Sequence, residues 1–228
     1  MLGVAERDLK QRTKRQKSMV FQSEIIGQSI SRIDGPDKVT GETLYTADVI
    51  LPGMLTGKIL RSPHPHARIR GFDTTAAWAV PGVKAVVTGD DARGFLQGKV
   101  LRDLPVLCWD KVRYIGDRVA AVAAETPEAA DEALLLIDVD YEVLPAVFDP
   151  MEAMQTDAPL LHDDIAAYVG APTELLAPDI HNGQTRLYWT KGDLDKGFAE
   201  ADVVLEHSFS IPSRHQGYIE PFTSVIDI

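Results

Sequence analysis

Arg118-Val119-Ala120-Ala121-Val122-Ala123-Ala124, followed by Thr126-Pro127 and then Ile137-Asp138-Val139-Asp140-Tyr141-Glu142-Val143, is the stretch that decides the fold. A run of seven residues with one polar member suits a strand covered on both faces. Thr126 can cap the free N–H groups of a helix start, and Pro127 fits its first turn, where no donor is needed. Ala129, Ala130, Ala133, Leu134 and Ile137 then share one helical face, with Glu128, Asp131, Glu132 and Leu135 off it. From Ile137 the period changes to two, which predicts a half-buried strand. Strand, helix and strand within about thirty residues make a compact mixed unit. Each buried aliphatic side chain in it contributes at most about 1.5–3 kcal/mol before chain entropy is subtracted.

Towards the N-terminus, residues 24–40 are polar and carry the turn signal Asp34-Gly35-Pro36. Thr43–Val49 and Leu55–Arg61 read as strands around Pro52-Gly53, and so as a hairpin. Ser62-Pro63-His64-Pro65-His66 is irregular because two prolines remove donors and fix φ. Ala67–Phe72 reads as a strand, Thr74–Val80 as a short helix stopped by Pro81-Gly82, and Val83–Thr88 as a buried strand. Towards the C-terminus, Pro145 ends the last strand of the central unit. Prolines at 145, 150, 159, 172 and 178 make the region up to 190 an extended connection, with a short helix near Met151–Met154. Such a long connection usually runs across another surface. Leu194–Glu200 reads as a helix capped by Asp193. Asp202–Ile211 and Phe222–Ile228 alternate like strands, and the sequence offers them no partner. The second domain therefore reads as unfinished.

The chain of 228 residues carries a net charge of −11, which argues against nucleic-acid binding. Residues 1–23 hold six basic and two acidic side chains, net +4. They read as a solvated, poorly ordered tail, with Met19 an alternative start. No apolar core of signal-peptide length follows the basic residues. A single cysteine, Cys108, excludes an internal disulfide and any four-cysteine metal site. No run of 18 apolar residues is present. These features together predict a cytoplasmic protein with no membrane partner.

Dinucleotide, P-loop, zinc-protease and nucleophile-elbow motifs are absent. His64 and His66 form an H-x-H pair without a nearby third ligand, so no metal site is assigned. His162-Asp163-Asp164 could be an acid–base cluster, but its place in the connection favours an exposed polar loop. Arg214-His215-Gln216-Gly217-Tyr218-Ile219-Glu220-Pro221 sits between two alternating stretches. Polar groups at strand ends often face sites, and Gly217 allows close approach. The competing reading is a hydrogen-bonded corner in which Glu220 pairs with Arg214 or with backbone donors.

Three segments carry a resemblance. They are Asp37–Gly41 through Tyr45–Asp48 with Leu60–Ile69; Tyr114–Val122 with Val139–Pro145; and Gly192–Leu194 through Glu206 with His215–Pro221. In this order and spacing the chain resembles the N-terminal part of the molybdenum-binding large subunit of the xanthine dehydrogenase and aldehyde oxidase family. The resemblance covers about residues 27–228. It implies an α+β fold: an α/β hammerhead domain, then the incomplete start of a mixed α/β molybdopterin-binding domain. The division is then a basic tail at 1–26, the hammerhead at 27–150, an extended linker at 151–190 and the start of the next domain at 191–228.

The resemblance also implies hydroxylation of an aldehyde or N-heterocycle with oxygen from water at a molybdopterin-held molybdenum. Electrons then pass to 2Fe-2S clusters and often to FAD in partner subunits. It implies as partners a chain carrying the remaining molybdopterin-binding domains, an iron–sulfur subunit and, in some assemblies, an FAD subunit. The family's oxo-contacting glutamine, Gly-Gly-Phe-Gly-Gly loop and base glutamate have no counterpart in these 228 residues. No catalytic residue is therefore transferred, and Glu220 matches a different position. Arg214, His215 and Gln216 are the candidates for contact with the cofactor. The alternative reading is a non-catalytic interaction or assembly module, or a remnant.

Overall fold

The computed structural model describes residues 26–99, 101–170, 176–177 and 179–227. The basic tail predicted at 1–26, and with it Met19, lies outside the described residues but for Ile26. Eight strands are present among the described residues: β1 (Thr56–Arg61), β2 (Ala67–Asp73), β3 (Val83–Thr88), β4 (Leu96–Gln97), β5 (Leu104–Pro105), β6 (Lys111–Val112), β7 (Arg118–Ala124) and β8 (Asp138–Val143). Helices are α1 (Gly35–Thr40), α2 (Thr75–Trp78), α3 (Pro127–Leu135), α4 (Pro150–Ala153) and α5 (Leu194–Glu200).

The apolar run is β7, the middle strand of an antiparallel sheet ordered β1-β7-β3. Ala120, Val122 and Ala124 lie in one core cluster with Ala130, Ala133 and Ile137. The predicted face of α3 is thus the buried one, and Leu135 off that face is 87% exposed. On the opposite side of β7, Val119 enters a second cluster with Ala67, Ile69, Cys108 and Val112, whereas Ala121 and Ala123 are only half-buried. Cover on both faces therefore holds at the start of the strand and fades along it.

Strand, helix and strand do not return to one sheet. β8 pairs with β2 in a second antiparallel sheet ordered β6-β2-β8. Leu60 and Val139 pack against both clusters and join the two sheets' cores. A short antiparallel pair, β4 with β5, makes a third sheet, and an isolated antiparallel bridge joins Leu176 to Thr185. The structure has mixed α and β elements, as the α+β reading expects.

Thr43–Val49 is not a strand, and no hairpin forms with β1. Thr46–Asp48 closes a 3-10 turn instead. The Tyr45 N–H donates to Asp48 Oδ2 at 2.9 Å and the Asp48 N–H to the Tyr45 carbonyl at 2.9 Å. An aspartate able to bind backbone three residues back outcompetes the ladder. The turn signal at 34–36 begins α1, with Pro36 in its first turn. Arg32 and Lys38 both pair with the Asp34 carboxylate, at 2.8 and 2.7 Å. The alternating stretches 202–211 and 222–227 form no ladder among the described residues.

Packing divides the chain into residues 51–214, and residues 1–50 with 215–228. The connection after β8 belongs to the first of these and is anchored within it. Asn182, with φ of 56°, accepts the Leu161 N–H at 2.9 Å and donates to the carbonyls of Ala153 and Pro159, each at 3.0 Å. The Arg102 N–H donates to the Val169 carbonyl at 3.0 Å.

Candidate functional site

Residues 108–118 and the proline loop after β1 make the most polar part of the interior. Asp117 is 4% exposed. Its Oδ2 accepts the Arg113 N–H at 3.1 Å and its Oδ1 the Arg118 N–H at 3.2 Å. Its own carbonyl accepts the Ser62 N–H, and the Ser62 carbonyl accepts the Gly116 N–H, each at 2.8 Å. A buried carboxylate is tolerable when backbone donors satisfy it, and here it fastens the turn before β7 to the loop after β1. Cys108, fully buried, has its thiol pushed well up by burial and then by the Asp117 charge. A thiol so held is a small core side chain rather than a nucleophile. Burial likewise raises the hydroxyls of Tyr114 and Tyr141.

The H-x-H pair does not converge. The His64 N–H donates to Ser62 Oγ at 3.0 Å, and its ring meets Tyr141 edge-on at 5.0 Å. His66, 4% exposed, holds the Pro145 carbonyl at 2.6 Å through Nδ1. That bond ties the loop to the end of β8. Among the described residues no three His, Cys, Asp or Glu side chains gather as a metal would need.

His162, Asp163 and Asp164 also separate. His162 Nδ1 lies 3.0 Å from the Tyr168 hydroxyl. Burial, then the nearby Arg113 charge, lowers its pKa. Asp163 meets Lys111 Nζ at 3.2 Å, and Asp164 accepts the Ala166 N–H at 3.1 Å to start a 3-10 turn. Partial burial works to raise Asp163, but the hydrogen bond and charge of Lys111 outweigh it and hold the carboxyl below its usual range. Lys111 is 3% exposed and also reaches the Leu160 carbonyl at 3.4 Å. Arg113 Nε donates to the Leu161 carbonyl at 3.1 Å. These two cations clamp the connection onto β6. Neither cation stands out in the sequence, because K-V-R reads as an ordinary exposed alternation. Asn182 gave no signal beyond its preference for a left-handed backbone.

Arg214, His215 and Gln216 are all exposed. His215 Nδ1 accepts the Gly217 N–H at 2.9 Å, where Gly217 takes φ of +67°. Tyr218 stacks edge-on with Phe222 at 5.2 Å. No ion pair among the described residues involves Arg214 or Glu220. An open depression of about 380 Å³ is lined by Thr46 and residues 218–223; Arg214, His215 and Gln216 do not line it.

Residues 40–145 match the family model described as "Aldehyde oxidase and xanthine dehydrogenase, a/b hammerhead domain". The chain is 42% identical over 190 residues to a probable xanthine dehydrogenase subunit of Bacillus subtilis, covering 83% of this chain and 23% of the relative. It is 34% identical over 203 residues to the nicotinate dehydrogenase large molybdopterin subunit of Eubacterium barkeri, covering 89% of this chain and 44% of the relative. A solved structure of Cu,Mo-CO dehydrogenase superposes with a TM-score of 0.64 at 38% identity, covering 78% of this chain and 23% of that one. The chain thus spans under half of each of these relatives. Residues 40–145 are thus the α/β hammerhead domain of the aldehyde oxidase and xanthine dehydrogenase family, and the chain is similar over most of its length to part of that family's large subunits.

Proposed function

We propose that this chain is a scaffolding component of a molybdenum-dependent oxidoreductase that hydroxylates an aldehyde or N-heterocycle with oxygen from water. It acts only with a chain supplying the rest of the cofactor site. A 2Fe-2S subunit and, in a three-part assembly, an FAD subunit receive the electrons. The observation carrying this reading is the hammerhead at 40–145 inside a relationship that reaches 42% identity. The Eubacterium barkeri relative is a large molybdopterin subunit, and this chain spans 44% of it. The proposed setting is cytoplasmic.

The described residues do not fit a molybdopterin as its sole holder. A cofactor that carries the hard chemistry needs converging polar groups to bind and orient it. Arg214, His215 and Gln216 are exposed and do not line the depression at Thr46 and 218–223. They are proposed only as edge contacts, completed by the second chain, and no step of the reaction is assigned to this one. Metal analysis tests the reading. Purified alone, the chain carries no stoichiometric molybdenum. Co-purified with the complementary chain, it carries molybdenum and oxidises substrate with an added electron acceptor. Stoichiometric molybdenum on the isolated chain would overturn the dependence on a partner. A complex without molybdenum would favour the assembly-module alternative.

A further inference from the structure

Asn182 is the only asparagine in the 228-residue sequence, and Gly183 follows it. The fold calls for both. Asn182 takes φ of 56°, a left-handed conformation in which asparagine is enriched. Its side chain holds the connection after β8 at three points: Oδ1 accepts the Leu161 N–H at 2.9 Å, and Nδ2 donates to the Ala153 and Pro159 carbonyls, each at 3.0 Å. His181 Nε2, lying 2.9 Å from the Ala158 carbonyl, adds a further point. Gly183 is dictated by close packing. A Cβ there would lie 2.6 Å from Ile180 Cβ and 2.9 Å from the Ile180 carbonyl oxygen. The pair so created is chemically labile. Asparagine is a thermolabile side chain, and a following glycine, with no Cβ, leaves its nitrogen open to approach.

We infer that Asn182-Gly183 is a deamidation site, that docking of the connection holds it unreacted, and that its product cannot restore the docked state. In the reaction the Gly183 nitrogen bonds to the Asn182 side-chain carbonyl carbon. The bond from that carbon to Nδ2 breaks, and Nδ2 leaves as ammonia with the proton of the Gly183 N–H. Water then opens the cyclic imide to an aspartyl or isoaspartyl residue, and nothing is oxidised or reduced. The docked structure opposes the first step. The Gly183 N–H is engaged by the Ile180 carbonyl at 2.8 Å, the amide is held at both of its ends, and both residues are half-buried. Reaction therefore proceeds through conformers in which the connection has let go. The product lacks the donors that Nδ2 supplied. An oxygen in its place faces the Ala153 and Pro159 carbonyl oxygens, which lose their partner and meet a like partial charge. An isoaspartyl product also draws a side-chain carbon into the main chain and displaces the carboxylate. Either way a reversible opening becomes permanent. The inference is independent of the proposed function.

The test incubates the whole chain at mildly alkaline pH beside a synthetic peptide of residues 179–187. Intact mass, released ammonia and peptide mapping follow both. The folded chain is expected to deamidate at Asn182 at least about tenfold more slowly than the peptide, and the chain in urea at the peptide's rate. The deamidated chain is separated by its added negative charge. Protease is expected to cleave it within 153–161 at least about tenfold faster than the unreacted chain, with amide exchange in β7 unchanged. Asn182→Asp should reproduce that cleavage. Asn182→Gly accepts the backbone angle but supplies no donors, so it should also be cleaved faster, and it should release no ammonia. Equal rates for the folded chain and the peptide overturn the protection by docking. A peptide that releases no ammonia overturns the site. Cleavage of the deamidated chain at the unreacted rate overturns the loss of docking, and that sample, made from the folded protein, does not depend on any variant folding.

Discussion

At Gly89 a Cβ would lie 1.8 Å from the Cys108 carbonyl oxygen and 2.4 Å from its carbon. The obstacle is backbone, so no rotamer relieves it. The same stretch is pinned by the Gly89 N–H to the Val119 carbonyl at 3.0 Å and the Cys108 N–H to the Arg118 carbonyl at 2.7 Å. Gly89→Ala is expected to cost at least about 2–3 kcal/mol, because overpacking displaces main chain on both sides. Urea unfolding measures it, with Gly57→Ala, which meets nothing within 4 Å, as a control within about 0.5 kcal/mol. An unchanged midpoint for Gly89→Ala would show that the two backbones part freely. The sequence marks glycine here without saying what it avoids. Close approach between residues 89 and 108 is a product of the sheet. The same holds at Lys111, whose burial depends on a connection some fifty residues later in the chain.

At the scale of elements, local chemistry was legible. Thr126 Oγ1 accepts the Ala129 N–H at 3.1 Å, and Asp193 accepts the Lys196 N–H at 3.0 Å, so both predicted caps form. Thr126→Ala is expected to lower stability by about 1 kcal/mol, whereas Leu135→Glu, on the open face of α3, stays within about 0.5 kcal/mol. Thermal melts of the two variants should therefore separate; equal losses would mean that α3 is not held by its first turn. Sheet membership was not legible. The periodicity around β7 and β8 finds both strands but carries no information on which edge each one joins. At Thr43–Val49 the wrong competitor was favoured, because Asp48 satisfies the backbone locally and needs no sheet.

Within the unit of residues 51–214, the connection after β8 is held by groups that titrate. Asp163 is held below its ordinary 3.8. Its contribution is complete above that value and is lost as pH falls through the lowered one. His162 is held below its ordinary 6.5. Below 6.5 the unfolded chain takes up a proton that the folded chain refuses, so stability is lost as pH falls from 6.5 to the lowered value. The connection should therefore loosen in two acid steps. Limited proteolysis across 155–170 is expected to accelerate first just below pH 6.5, and His162→Gln should remove that step while leaving the second. Asp163→Asn should cost roughly 0.5–1 kcal/mol at neutral pH, since the carboxylate is mostly exposed although its lysine is not. Cleavage that does not change with pH would mean that the clamp does not limit access.

The sequence by itself determined the order and type of the central elements and their caps, because these follow from local periodicity and from donors within one turn. It also carried the family resemblance, through three motif segments in a fixed order. Tertiary structure alone decided that β7 and β8 enter different sheets, that Asp117 and His66 fasten the proline loop, and that Lys111 and Arg113 hold the connection. Those outcomes depend on which distant backbone group is left needing a partner, and no window of sequence contains both members of such a pair.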